Sequence, residues 1–212
     1  MRCEVCGMEY ARAHDCAGIA TLPISEEMKP PPEGICPGYY LRVALRIASF
    51  DDLAIRRASR DPDALVYGAV FSMLTASVIF LVTALPKMLT REGASAETVF
   101  LGLLLGFLYV WVYMAVIGII QIGLCHGVAK LFLSGTGTFA GVVRASLLGW
   151  FVNCLVVIPR LGLIAALIAW TAVLMTVLKE VDGLSRSRAF LAAAGVNGAY
   201  YLLLLIAQHF ER

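Results

Sequence analysis

Cysteines and a histidine at metal-ligand spacing stand at the start of the chain, in the segment 1–16 (MRCEVCGMEYARAHDC). Cys3-x2-Cys6-Gly7 puts two thiolates on a tight turn, and the glycine lets the backbone fold beneath a bound ion. His14-x-Cys16 adds a nitrogen and a sulfur ligand. Three thiolates and one imidazole suit a closed tetrahedral Zn2+ site with no position open for chemistry. Such a site helps to fold a segment too short to build its own core. Cys36 is the alternative to His14 as fourth ligand. Reduced thiols on a polar tail and a redox pair at Cys3 and Cys6 are the competing readings. Cys125 and Cys154 lie in apolar segments and read as buried, inert small side chains.

The second set of chemically able residues is His126, Lys130, Arg144, Glu180 and Asp182. These are the polar residues expected to gather at one, cytoplasmic, end of a membrane bundle. His126 and Lys130 are four apart and share a helix face. Arg144 sits about one and a half turns inside an apolar segment, where its long stem lets the charge snorkel to the interface. Lys130 or Arg144 pairing with Glu180 or Asp182 would neutralise charges that lipid disfavours. Interfacial anchoring and loop solvation is the plainer reading. No acid lies at mid-span, which speaks against a transport path.

Composition says what must hold these residues. The 212 residues are 60% hydrophobic and 15% charged, with a net charge of +2 and a mean hydropathy of +0.82. Soluble domains carry about 25% charged residues, so lipid is the expected solvent. Residues 1–63 hold 18 of the 32 charged side chains. A polar front therefore precedes a membrane body, and residues 1–32 lack the apolar run of a signal peptide.

Residues 17–38 read as a Pro-rich linker, with Pro30-Pro31-Pro32 and Pro37-Gly38 disfavouring helix. Residues 39–61 have the helical period, with Arg42, Arg46, Arg56, Arg57 and Arg60 on one side. A break near Ser49–Asp51 into two amphipathic helices follows from Asp51 spoiling the apolar face. They either lie on the lipid surface or dock on the bundle. Asp61-Pro62 is a helix start. Five spans follow within residues 62–208, at about 64–85, 99–124, 139–158, 161–178 and 189–207. Pro86 ends the first, and Ser134-Gly135-Thr136-Gly137-Thr138 is a turn before the third. The side holding the front of the chain also holds Lys130, Lys179, Arg186 and Arg188; the other holds Lys87, Arg91, Arg160 and Arg212. The basic excess places the amino terminus in the cytoplasm. The fold class is thus an all-α membrane protein, a five-helix bundle behind amphipathic helices and a zinc knuckle.

His126-x3-Lys130-Leu131-Phe132, then Gly137-Thr138-Phe139 and Arg144, resembles the signature of the Ypt-interacting (Yip) membrane domain. Trp170, Leu178-Lys179-Glu180-Val181-Asp182-Gly183-Leu184-Ser185 and Ala189 extend the likeness, as does the prelude Ser49-Phe50…Arg60-Asp61-Pro62. It covers roughly residues 40–208. The turn Leu133-Ser134-Gly135 departs from the family's commoner double glycine. The resemblance implies a five-span bundle with a cytoplasmic amino terminus. In eukaryotes the family is associated with vesicle traffic and small GTPases of the Rab type; it supplies no catalytic residues to carry over. With a knuckle on a short chain, the protein looks like a prokaryotic member, in the cytoplasmic membrane.

Two functions follow as expectations. One is a non-enzymatic scaffold or adaptor that recruits a cytoplasmic protein, or assembles with membrane partners or copies of itself, with the bilayer as its other partner and no nucleic acid. The other is a small transporter or lipid-handling protein using the charged cluster. An enzyme is not expected: no His-Glu-x2-His, nucleophile elbow or phosphate loop is present. Trp111 and Trp150 are expected to pack or to sit at the interface.

Overall fold

The computed structural model describes residues 35–90 and 95–210. The chain divides into two units, Met1–Ile35 and Cys36–Arg212, and all the described helices belong to the second. The described residues form helices and loops without a strand.

Helix α1 spans Pro37–Ala48 and α2 spans Asp52–Arg60. The expected linker therefore ends earlier than residue 38. Pro37 opens α1 rather than excluding it, because the first helical position has no intrahelical use for the missing N–H. The break falls where Asp51 was expected to force one. Phe50 takes a left-handed φ of 63°. Asp51 then caps α2, its Oδ1 accepting from the Leu53 and Ala54 N–H groups at 2.9 and 3.0 Å. Its Oδ2 accepts from Arg46 at 2.7 Å.

Both helices are docked on the bundle through their apolar faces. Ile47 and Ile55 have no exposed surface, and Tyr40, Val43, Ala44, Ala54 and Ala58 join the same core. Burying Ile47 and Ile55 contributes roughly 2 kcal/mol each. The Tyr40 ring stacks on Tyr67 at 4.0 Å between centroids, and its hydroxyl donates to Asp61 Oδ2 at 2.8 Å. Those contacts tie α1 to the start of the membrane body.

The body begins with α3, Ala64–Thr83, and a short α4, Leu85–Leu89. Asp61 Oδ1 accepts from Asp63 N–H at 3.0 Å across the turn before α3. Pro86 lies in the first turn of α4, so it redirects the chain instead of ending its helicity. Helix α5 runs unbroken from Ala96 to Phe132, eight residues beyond the expected span, and carries His126 and Lys130. Helix α6 is Phe139–Gly149. A continuous span to residue 158 was expected, but Trp150–Val157 winds as a 3-10 segment. The Asn153 side-chain amide donates to the Trp150 carbonyl at 2.9 Å, competing for an acceptor that an α-helix would use. Helix α7 is Gly162–Val181 and α8 is Arg186–Phe210, each taking in residues expected in the polar connection.

Four of these segments are long and apolar enough to cross a membrane: Ala64–Thr83, Ala96–Phe132, Phe139–Val157 and Gly162–Val181. This is a helical membrane protein. Leu101, Leu104, Leu105, Leu108 and Val112 on α5 stay exposed, as lipid-facing side chains do. Within the bundle α3 lies against α6, and a Cβ on Gly68 would stand 2.7 Å from the Leu147 Cβ. The small residue sets the close approach of the two backbones. Trp150 and Trp170 meet edge to face at 4.6 Å between centroids.

Candidate functional site

The polar residues singled out from the sequence do lie on elements that meet at one end of the bundle, but they form three separate contacts. The first joins α5 to the end of α7. Asp182 is the residue after α7, and its side chain has no exposed surface. A carboxylate there faces the negative end of the helix dipole. His126 offsets this: its Nδ1 lies 3.1 Å from the carboxylate and, as the N–H tautomer, donates to Oδ2. Asp182 Oδ1 stands 3.1 Å from the same ring nitrogen and accepts no hydrogen bond among the described residues.

The turn 133–138 packs over this pair. Ser134 adopts φ 63°, a left-handed conformation that costs serine more than glycine. The Gly135 N–H returns to the Ala129 carbonyl at 2.9 Å, and the Thr136 N–H donates to the Asp182 carbonyl at 2.9 Å. At Gly137 the approach leaves no room for a side chain. A Cβ there would stand 2.5 Å from the Val181 carbonyl oxygen and would also overlap Asp182 Oδ1. Gly183, at φ 69°, lets the chain turn back from α7 into α8. The Gly-Thr-Gly spacing thus serves the close contact of the turn with the end of α7.

The second contact clamps α2 to α7. Glu180, with 3% of its side chain exposed, pairs with Arg56 and with Lys179, the latter at 2.7 Å. Lys179 Nζ also reaches Asp52 Oδ2 at 2.9 Å. Asp52 and Arg56 are four apart on one face of α2. The third contact joins α2 to α6. Arg144 donates to the Ser59 carbonyl at 3.4 Å, complementing the carbonyl end of α2. Its Nε is buried without a hydrogen-bond partner among the described residues. Lys130 donates at 3.5 Å to the Gly137 carbonyl.

The expected pairing of Lys130 or Arg144 with Glu180 or Asp182 is therefore not the arrangement formed. Glu180 takes Arg56, Asp182 takes His126, and Arg144 takes the carbonyl end of α2. The sequence reading missed Asp52, Arg56, Lys179 and Ser59 as members. The i, i+4 Asp52/Arg56 pair facing the adjacent Lys179/Glu180 pair was the signal available.

Chemically, these contacts hold helices together. No hydroxyl or thiol is hydrogen-bonded to the other ring nitrogen of His126 among the described residues, so the His126–Asp182 pair lacks the third member that makes such a pair a nucleophile activator. The Asp51 carboxyl feels burial, which raises its pKa. The Ala54 and Leu53 N–H groups and Arg46 outweigh that and hold it below the usual range. The expected zinc ligands Cys3, Cys6, His14 and Cys16 lie outside the described residues. Cys36 is described, at the start of α1, its N–H donating to the Tyr67 hydroxyl at 2.9 Å. Among the described residues no three His, Cys, Asp or Glu side chains converge as a metal-holding group.

No family model matches the chain, and no curated protein or solved structure matches it.

Proposed function

We propose that this protein is a non-enzymatic, multi-pass membrane scaffold of the Yip-like kind. Its α8 completes a five-span bundle, with the amino terminus and the clamped α1–α2 pair on the cytoplasmic side. The residues before α1 recruit a cytoplasmic protein partner. Cys3, Cys6, His14 and Cys16 hold a structural Zn2+ that shapes the recruiting segment, a reading supported by their spacing alone.

The observation that carries this reading is the use made of the charged residues. Glu180, Lys179, Arg56 and Asp52 join α2 to α7, and Arg144 joins α2 to α6. The charges that a transporter would leave facing a path instead fasten a polar helix pair to the membrane body. A rigid attachment of that sort suits a protein whose work lies in what it displays.

The test compares the full chain with one lacking residues 1–34, each extracted in mild detergent from its own membrane. The shortened chain is expected to keep its thermal transition and to lose the bound partner. Retention of the partner by the shortened chain overturns the proposal. Solute or lipid movement across liposomes holding the pure protein favours the lipid-handling and transport reading in its place.

A further inference from the structure

A groove of about 850 Å³ lies between α7 and the first turn of α8. Leu167, Ile168, Ala172 and Met175 line it from α7, and Phe190 from α8. Thr171 lies among them. The α7 positions fall on one face, and from Leu167 to Met175 they cover about 12 Å along the axis at 1.5 Å per residue. That length lies within a segment apolar enough to cross the membrane, so the groove runs at the depth of lipid chains. Its volume is that of a pocket for a whole small molecule, about 300–1,000 Å³, and not of a packing defect.

The end of the groove nearest the polar connection is different. Arg186 and Ser187 line it there, at the start of the 25-residue α8. Of the Lys and Arg residues on α7 and α8, Lys179 is held by Asp52 and Glu180 and Arg188 donates to the Leu133 carbonyl at 3.4 Å. Arg186 has no hydrogen bond or ion pair among the described residues. The Arg186 guanidinium, unengaged among the described residues, stands five residues beyond the end of a membrane-depth helix, beside a hydroxyl and over an apolar slot. A guanidinium matches phosphate with two parallel N–H bonds, and the first N–H groups of a helix add positive potential at the same place. Within the slot, Thr171 Oγ1 accepts the Asn197 amide hydrogen at 2.9 Å, so its polarity is turned to α8.

We propose that this groove binds one anionic glycerophospholipid, with its phosphate on Arg186 and Ser187 and an acyl chain laid along Leu167–Met175. The zwitterionic phospholipids place a second, cationic group beside the same phosphate, where it competes with Arg186. The site therefore selects for net negative charge. This is independent of the scaffold reading, since neither the amino-terminal segment nor a protein partner takes part.

The test is native mass spectrometry of the full chain in detergent, with equal amounts of dioleoyl phosphatidylglycerol and dioleoyl phosphatidylcholine added. The wild type is expected to retain phosphatidylglycerol in preference. Arg186→Gln should reduce that preference about fivefold, the weight of one basic residue at an anionic lipid surface. Lys87→Gln, on α4 and away from the groove, should leave it unchanged. Phe190→Ala, which opens the slot and spares the charge, should lower retention of both lipids. Glycerol phosphate without acyl chains should not displace the bound lipid. Equal retention of the two lipids by the wild type, or an unchanged preference in Arg186→Gln, overturns the proposal. Displacement by glycerol phosphate overturns the acyl-chain part of it.

Discussion

Replacing Gly137 with alanine puts the contact between the turn 133–138 and the end of α7 to a direct test. The added methyl would stand 2.5 Å from the Val181 oxygen and 2.8 Å from the Val181 carbonyl carbon, against 3.4 Å and more for ordinary contact. Both atoms are backbone of α7 and cannot rotate away. Relief requires the turn to withdraw by roughly 1 Å, an overpacking strain of about 1–3 kcal/mol. That movement also lengthens the 2.9 Å bond from Thr136 N–H to the Asp182 carbonyl, worth about 1 kcal/mol. The turn is partly open to solvent and can give, so a net loss of about 2 kcal/mol is expected. Gly127→Ala is the control. It lies in α5, a Cβ there meets nothing within 4 Å, and alanine in a helix gains about 0.5–1 kcal/mol over glycine. The assay is unfolding of the purified full chain in a denaturing-detergent titration followed by tryptophan fluorescence. Equal stability of Gly137→Ala and wild type, or equal effects at the two glycines, refutes the close-packed turn.

Three further outcomes are expected. In a double-mutant cycle, Glu180→Gln and Arg56→Gln should couple by about 1 kcal/mol; the nearly buried carboxylate argues for more, but Arg56 is largely exposed and solvent screens it. Additive effects would show that the Arg56–Glu180 pair contributes nothing to the clamp between α2 and α7. His126→Ala strands a buried carboxylate and should cost about 3 kcal/mol. Adding Asp182→Ala to it should then cost less than it does in the wild type, as thermal unfolding of the four proteins would show. Asp51→Ala should remove about 1 kcal/mol by uncapping α2, and it should also change the response to acid. The folded-state pKa of Asp51 is depressed, so its stabilisation is complete above the unfolded value of about 3.9 and fades as pH falls through the lower folded value. Protection of the Leu53 and Ala54 amides from hydrogen exchange, taken relative to the intrinsic rate at each pH, should therefore fall below about pH 4 in the wild type and be low at every pH in the variant. Protection that is high and pH-independent in both would count against the cap.

The features legible in the sequence were the local ones. Asp51 spoiling an apolar face marks the break between α1 and α2, and the glycines of residues 134–138 mark the turn, because side-chain chemistry decides both within a few residues. The docked face of α1 and α2 was not decided by periodicity. An apolar stripe serves a lipid surface and a protein surface equally, and only the burial of Ile47 and Ile55 separates them. The partners of Glu180 were hidden for a related reason. Arg56 is 124 residues away, and among several charges near one membrane face, proximity in sequence does not say which pairs form. Pro37 was read as a breaker because its effect reverses at the first position of a helix. The 3-10 winding after Trp150 comes with a side-chain bond from Asn153 to the Trp150 carbonyl, which residue spacing does not reveal.

The scaffold account is tested most directly by native mass spectrometry of the full chain released from its own membrane in mild detergent, beside a Cys3→Ser/Cys6→Ser variant. The account predicts a complex heavier by one protein partner and one zinc ion, both lost in the variant while the bundle keeps its mass and fold. A wild-type chain that carries only lipid or further copies of itself contradicts it.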